Sequence, residues 1–110
     1  MIEDRIQKIE TRLQESANIP EAARAELLKL LTALREEVGA LGESHKEDAR
    51  SIASFVDASA HEATRAEKKP KQVEASLNGL KASVEAFEAS HPKLAETVNQ
   101  IAVVLSNMGI

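Results

Sequence analysis

Apolar residues recur at alternating steps of four and three in four separate segments of this chain. Because an α-helix turns once every 3.6 residues, this spacing places them on one stripe of each helix. The predicted core or interaction stripes consist of Ile2, Ile6, Ile9 and Leu13; Leu27, Leu31, Leu34 and Val38; Val73, Leu77, Leu80, Val84 and Phe87; and Leu94, Val98, Ile101 and Leu105. The pattern predicts amphipathic helices that hide one face against one another.

The composition argues against a sheet. Of the 110 residues, 43% are hydrophobic but only 2% are aromatic, which leaves few of the aromatic and β-branched runs from which strands are built. The length suits one domain with a modest core. We predict an all-α fold in which antiparallel helical hairpins with coiled-coil-like stripes form a four- to five-helix bundle. It spans residues 1–110, with helices near 2–17, 19–41, 44–67, 71–89 and 91–108.

The final segment has the densest apolar content and two helix boundaries. Pro92 is predicted in its first turn, where the missing N–H costs nothing. Gly109 is predicted to end the helix in the left-handed conformation, so that Ile110 contacts Leu105 in a Schellman motif.

Val103 lies nearly opposite Ile101 on the same helix. A helix that is apolar on two sides needs at least two neighbours, so we expect this helix to be the central one of the bundle.

Two residue pairs have the spacing of capping boxes. Asn18 with Glu21, and Ser44 with Glu47, are predicted to start the second and third helices. Pro70 marks the break before the fourth helix, because it disfavours helical geometry at the preceding residue.

The third helix has a shallow inner face. Beyond Ile52, Phe55 and Val56, this face continues only with Ala60 and Ala63. Burying Ala gains little free energy, so either another backbone packs closely there or this half of the helix is the loosest part of the fold.

The net charge of −4 opposes binding to nucleic acid and to anionic membranes. No apolar run approaches the roughly 20 residues that span a bilayer, and the amino terminus lacks the basic region and apolar core of a signal peptide. The absence of Cys fits a reducing compartment. We therefore expect a cytoplasmic protein that neither binds nucleic acid nor spans a membrane.

The chain carries no recognisable catalytic, metal or cofactor motif. His45, His61 and His91 each lack a second His three or four residues away, and no Cys is present to complete a zinc site. The carboxylates fall on helix faces that are predicted to be solvent-exposed. The basic run of residues 68–71 is typical of a solvated turn. We predict that the protein is not an enzyme and has no cofactor.

Two stretches resemble a family of small uncharacterised bacterial proteins. They are SIASFVDASAHEATR in the middle of the chain, and FEASHPKL followed by a helix that ends in SNMGI. The resemblance implies a bacterial, all-helical, cytoplasmic protein of unknown function and supplies no catalytic residues.

The stripes favour a structural or regulatory role in protein interaction. We expect self-association through the heptad-like stripes, with a dimer as the first expectation, and another protein partner remains an option. The alternative is a helical carrier of a small apolar ligand or lipid, because bundles build such sites between their helices.

Overall fold

Five α-helices make up the computed structural model, which describes residues 2–109 and the side chains of residues 4–109. They are α1 (Ile2–Glu15), α2 (Glu21–Gly39), α3 (Lys46–Thr64), α4 (Pro70–Val84) and α5 (Pro92–Gly109). Short 3-10 turns, Glu43–His45 and Glu85–Phe87, precede α3 and follow α4. All the regular elements of the described chain are helical, so the predicted all-α fold is confirmed.

The helices form a closed bundle in which α3 and α5 each contact three other helices. α1 packs against α2 and α3, α4 packs against α3 and α5, and α5 contacts α2, α3 and α4. α5 thus has three helical neighbours, where at least two were predicted, but the side of α5 that carries Val103 is left exposed. Within the described chain, the consecutive helices α2 and α3 make at most marginal contact. The predicted hairpins α1–α2 and α4–α5 are present, and α3–α4 is a third.

The apolar stripes lie inside the chain. Every stripe residue with a described side chain, from Ile6 to Leu105, is at most 7% exposed and belongs to one core. The side chain of Ile2 lies outside the described residues. Because the described stripe residues are buried within one chain, they are not available to contact a second copy. Any association must therefore use other residues.

Gly109 does not end α5 in the left-handed conformation. It lies within the helix, and the positive-φ glycine of the described chain is Gly42. A Cβ at Gly109 would lie 2.9 Å from Val73 Cγ1 and 3.3 Å from Ala63 Cα. Gly109 therefore allows α5 to approach α3 and α4 closely. The predicted left-handed termination is wrong, and Ile110 lies outside the described residues.

This close approach decides between the two alternatives for the Ala-rich half of α3. Ala60 and Ala63 are 1% and 0% exposed, although their side chains are small. Ala63 lies where the backbone of α5 comes close to α3 at Gly109, and α4 and α5 both pack against α3. Close backbone packing is thus what covers this face.

Asn18 does not cap α2. The N-cap residue is Pro20, which forms no side-chain cap, and the Asn18 amide Nδ2 instead donates to the carbonyl oxygen of Thr64 at 3.4 Å. Thr64 is the last residue of α3, where carbonyl groups lack intrahelical partners. The side chain of Asn18 therefore satisfies a different helix end from the predicted one.

Ser44 does not cap α3 either. Gly42, at φ 80°, leads into the 3-10 turn Glu43–His45, and the N–H of His45 donates to Gly42 O at 3.3 Å. This extra turn moves the start of α3 to Lys46, with His45 as the N-cap residue. Ser44 is thereby displaced from the capping position.

Arg24 on α2 forms hydrogen bonds that link it to the end of α1. Its Nε donates to Leu13 O at 3.1 Å, and its Nη2 donates to Ser16 O. Both carbonyls belong to the end of α1, where intrahelical donors run out. One guanidinium group on α2 thus caps the preceding helix.

The ring of Phe55 lies over Gly79, although Phe55 is 38% exposed. A Cβ at Gly79 would lie 2.4 Å from Phe55 Cε1. The glycine therefore provides a flat surface on α4 for an aromatic ring from α3.

This contact predicts different effects of Gly79→Ala in two backgrounds. In the natural chain, a gain in helix propensity of about 1 kcal/mol should be largely offset by displacement of the ring. In a Phe55→Ala chain, the same change should raise the free energy of unfolding by about 1 kcal/mol. Urea denaturation of the four chains measures the coupling. Equal effects in both backgrounds would show that the ring does not rest on Gly79.

Candidate interaction surface

A concave groove runs along α5 on the side that faces α2. Its first part has a volume of about 610 Å³, and its second part, of about 500 Å³, continues toward the C-terminal end of α5. Glu26 and Val104 line both parts. We call the two parts together the α2–α5 groove. It follows α5 from Pro92 to Met108, a length of about 24 Å at 1.5 Å per residue.

Small and apolar side chains line much of this groove. They are Pro20, Ala22 and Ala23 before and within α2, and Pro92, Ala95, Val103, Val104 and Met108 on α5. Because Ala and Pro side chains are short, they leave open space between the two helices. Asn18, Asn99, Gln100 and Asn107 add uncharged polar groups along its length.

Val103 is the most exposed large apolar side chain of the groove. It is 56% exposed, and among the described residues Phe55 is the one other large apolar residue that is exposed. The two lie on different helices, α5 and α3. Ile101, two residues before Val103, is 1% exposed. The position of Val103 opposite Ile101 was visible in the sequence, but its lack of a covering helix was not.

The groove is acidic where α5 begins. Among the described residues, Glu26, Glu88 and Glu96 line its first part, and no Lys or Arg does. Within the described residues, none of these carboxylates has a cation within 4.0 Å. Lys93 lines an adjoining concavity, which shares Pro92 with the groove and extends to His91. The first part of the groove therefore presents unneutralised negative charge.

The other end of the groove carries a lysine beside Glu26. Lys68 lines its second part, and its Nζ donates to the carbonyl oxygen of Met108 at 2.8 Å. This lysine comes from the basic run that we predicted to be a solvated turn. It stays exposed, but it also satisfies a carbonyl at the end of α5. Among the described residues, the charged lining thus changes along α5 from the carboxylates Glu26, Glu88 and Glu96 to the pair Glu26 and Lys68.

Two histidines that are distant in sequence meet at one corner of the bundle. His45 and His91 have ring centroids 5.9 Å apart, and both rings pack edge-on against Phe87, at 5.2 and 5.5 Å. His91 lines a concavity of about 390 Å³. Across residues 4–109, no group of three His, Asp or Glu side chains is arranged to hold a metal ion. The structure gives this pair a packing role around a buried Phe.

The helices also bear on the predicted relation to membranes. Across residues 2–109, no helix combines the length and apolar content needed to cross a bilayer.

Comparison with known proteins identifies a family that matches most of the chain. The family model described as a domain of unknown function, DUF4404, matches residues 27–110. The match includes most of α2 and all of α3, α4 and the described part of α5, and it leaves α1 and Glu26 outside. No curated protein and no solved structure is significantly similar to the chain.

Proposed function

Because this chain belongs to the DUF4404 family, whose description carries no activity, we propose from its own surface that it is a non-enzymatic protein-interaction module. Its docking site is the α2–α5 groove, and its occupant is an amphipathic helix of another protein. The cytoplasmic setting and bacterial origin predicted from the sequence stay part of this proposal.

The exposure of Val103 is the observation that carries the proposal. All described stripe residues are buried, yet Val103 stays 56% exposed within a groove lined by further apolar side chains. An exposed apolar patch with a polar border is a common mark of protein interaction sites. A groove about 24 Å long matches a helix of about four turns, and helix-in-groove docking is a recurring recognition mode.

A second copy of the chain fits this groove poorly. A copy whose acidic end covers this acidic end would bring two sets of the carboxylates Glu26, Glu88 and Glu96 together. A copy in the opposite orientation would offer each set one lysine, Lys68, beside a further Glu26. Like charges in an interface oppose association. The net charge of −4 adds to this repulsion. The dimer predicted from the stripes therefore gives way to a different protein as the proposed partner.

Val103→Gln should weaken docking about tenfold or more without disturbing the fold. The probe is a displayed library of helical peptides with the length of α5, 18 residues, an apolar stripe and randomised polar positions. We expect selected peptides to lose about tenfold or more in affinity for the variant, because burial of a Val side chain is lost. Gln is a good helix former, so thermal unfolding should be unchanged. Phe55→Ala, which removes the other exposed apolar side chain, is the matched control and should keep binding.

Three outcomes would overturn the proposal. One is that no peptide binds the natural chain better than the Val103→Gln chain. Another is a concentration-dependent dimer in sedimentation that disappears in this variant, because the occupant would then be a second copy. The third is a small apolar molecule retained in native mass spectrometry and lost in the variant, which would favour the carrier instead.

A further inference from the structure

We infer that the partner helix is cationic and lies parallel to α5, with its N-terminal end at Glu88 and Glu96. This inference rests on the proposed function, since it specifies the occupant of the same groove. It follows from the distribution of charge along the groove rather than from its apolar lining.

The carboxylates determine the charge of the partner. Glu26, Glu88 and Glu96 line the first part of the groove, and within the described residues no ion pair neutralises them. A helix that covers these carboxylates removes part of their solvent. Unless the helix supplies cations to pair with them, this desolvation costs free energy. Lys or Arg at the borders of the apolar stripe would provide charge-assisted hydrogen bonds to these oxygens.

The position of the carboxylates indicates where the cations of the partner lie. Glu88 and Glu96 flank Pro92, where α5 starts, whereas Glu26 lines both parts of the groove beside Val104. The cations of the partner should therefore cluster over its half nearest Pro92. The half over Asn107 and Met108 requires fewer cations.

The opposite end of the groove determines the direction of the partner. Lys68 places a positive charge beside Met108, and the carboxylates place negative charge beside Pro92. A helix carries partial positive charge at its N-terminus and partial negative charge at its C-terminus. The charged side chains therefore favour a partner that runs from Pro92 toward Met108, with its N-terminal end over Glu88 and Glu96 and its C-terminal end beside Lys68.

The test uses the peptides selected on the full chain. Among the selected peptides, Lys and Arg should be about ten times as frequent as Glu and Asp at the positions that border the apolar stripe. A synthetic survivor titrated against Glu26→Gln, Glu88→Gln and Glu96→Gln should lose about fivefold in affinity for each, the effect of one unit charge about 4 Å away in water. Glu36→Gln, an exposed carboxylate on α2 outside the groove, is the matched control and should bind like the natural chain. Binding should also weaken as NaCl rises from about 50 to about 500 mM.

Direction is read from a nitroxide label at either end of the same peptide. A label at the N-terminus should broaden the amide signals of α5 near Lys93, and a label at the C-terminus those near Asn107. The reverse pattern would overturn the inferred direction. Survivors that are neutral or acidic, or that bind the three Gln variants unchanged, would overturn the inferred charge while leaving the docking groove in place. If no peptide binds better than to the Val103→Gln chain, the docking function itself fails, and this inference with it.

Discussion

Replacing Ile101 with Ala is expected to lower the free energy of unfolding by about 3 kcal/mol. Ile101 is 1% exposed and lies on α5, the helix that contacts α2, α3 and α4. Truncation removes buried apolar surface and leaves a cavity between helices that cannot all close around it. Urea denaturation of the two chains, followed by circular dichroism, measures the difference.

Val103→Ala is the matched control for this change. It shortens an aliphatic side chain two residues away on the same helix, but at a position that is 56% exposed. We expect it to change the free energy of unfolding by less than about 0.5 kcal/mol. If the two substitutions had equal effects, α5 could not face the core as the structure places it.

Replacing Ala63 with Leu should destabilise the protein by about 3 kcal/mol, at the upper end of the usual cost of overpacking. Ala63 is 0% exposed, and its Cα lies 3.3 Å from where a Cβ at Gly109 would stand. A larger side chain must therefore push α3 and α5 apart or adopt a strained rotamer. Thermal unfolding followed by circular dichroism should show a lower midpoint.

Ala58→Leu provides the comparison for Ala63→Leu. Ala58 lies on the same helix but is exposed, so the added atoms meet solvent. Its effect should stay within about 0.5 kcal/mol. An Ala63→Leu chain as stable as the Ala58→Leu chain would mean that the backbones of α3 and α5 are not in close contact.

Local spacing was enough to predict the fold class and the core. The step of four and three in Leu94, Val98, Ile101 and Leu105 places these residues on one side of a helix wherever that helix lies. Burial then follows, because an apolar stripe gains free energy by leaving water. The predicted helix ends were less accurate, since the stripe runs on through the 3-10 turn that holds Phe87.

The candidate site was only partly visible in the sequence. The position of Val103 opposite Ile101 could be predicted from spacing, but the spacing predicted a second neighbour over Val103, whereas the structure leaves it 56% exposed. The acidic end of the groove could not, because Glu26 and Glu96 are far apart in the chain and meet only when α2 packs on α5. The pairing of His45 with His91 was invisible for the same reason.

The glycines and caps show where local patterns mislead. A glycine after an apolar helix predicts termination, yet Gly109 serves a close approach to Ala63. Asn18 has the spacing of a cap for α2, yet its amide binds the end of α3. In each case a neighbour distant in sequence provides the stronger interaction.

By itself, the sequence determined that the chain is helical, which faces of its helices are apolar and which residues lie in the core. These properties depend on backbone periodicity and on the free energy of removing apolar groups from water, and both act locally. Only the tertiary structure decided which helices are neighbours, why Gly109 is a glycine, and that Val103 is left uncovered beside three carboxylates. Those properties depend on distances between residues far apart in the chain, and such distances exist only once the helices have packed.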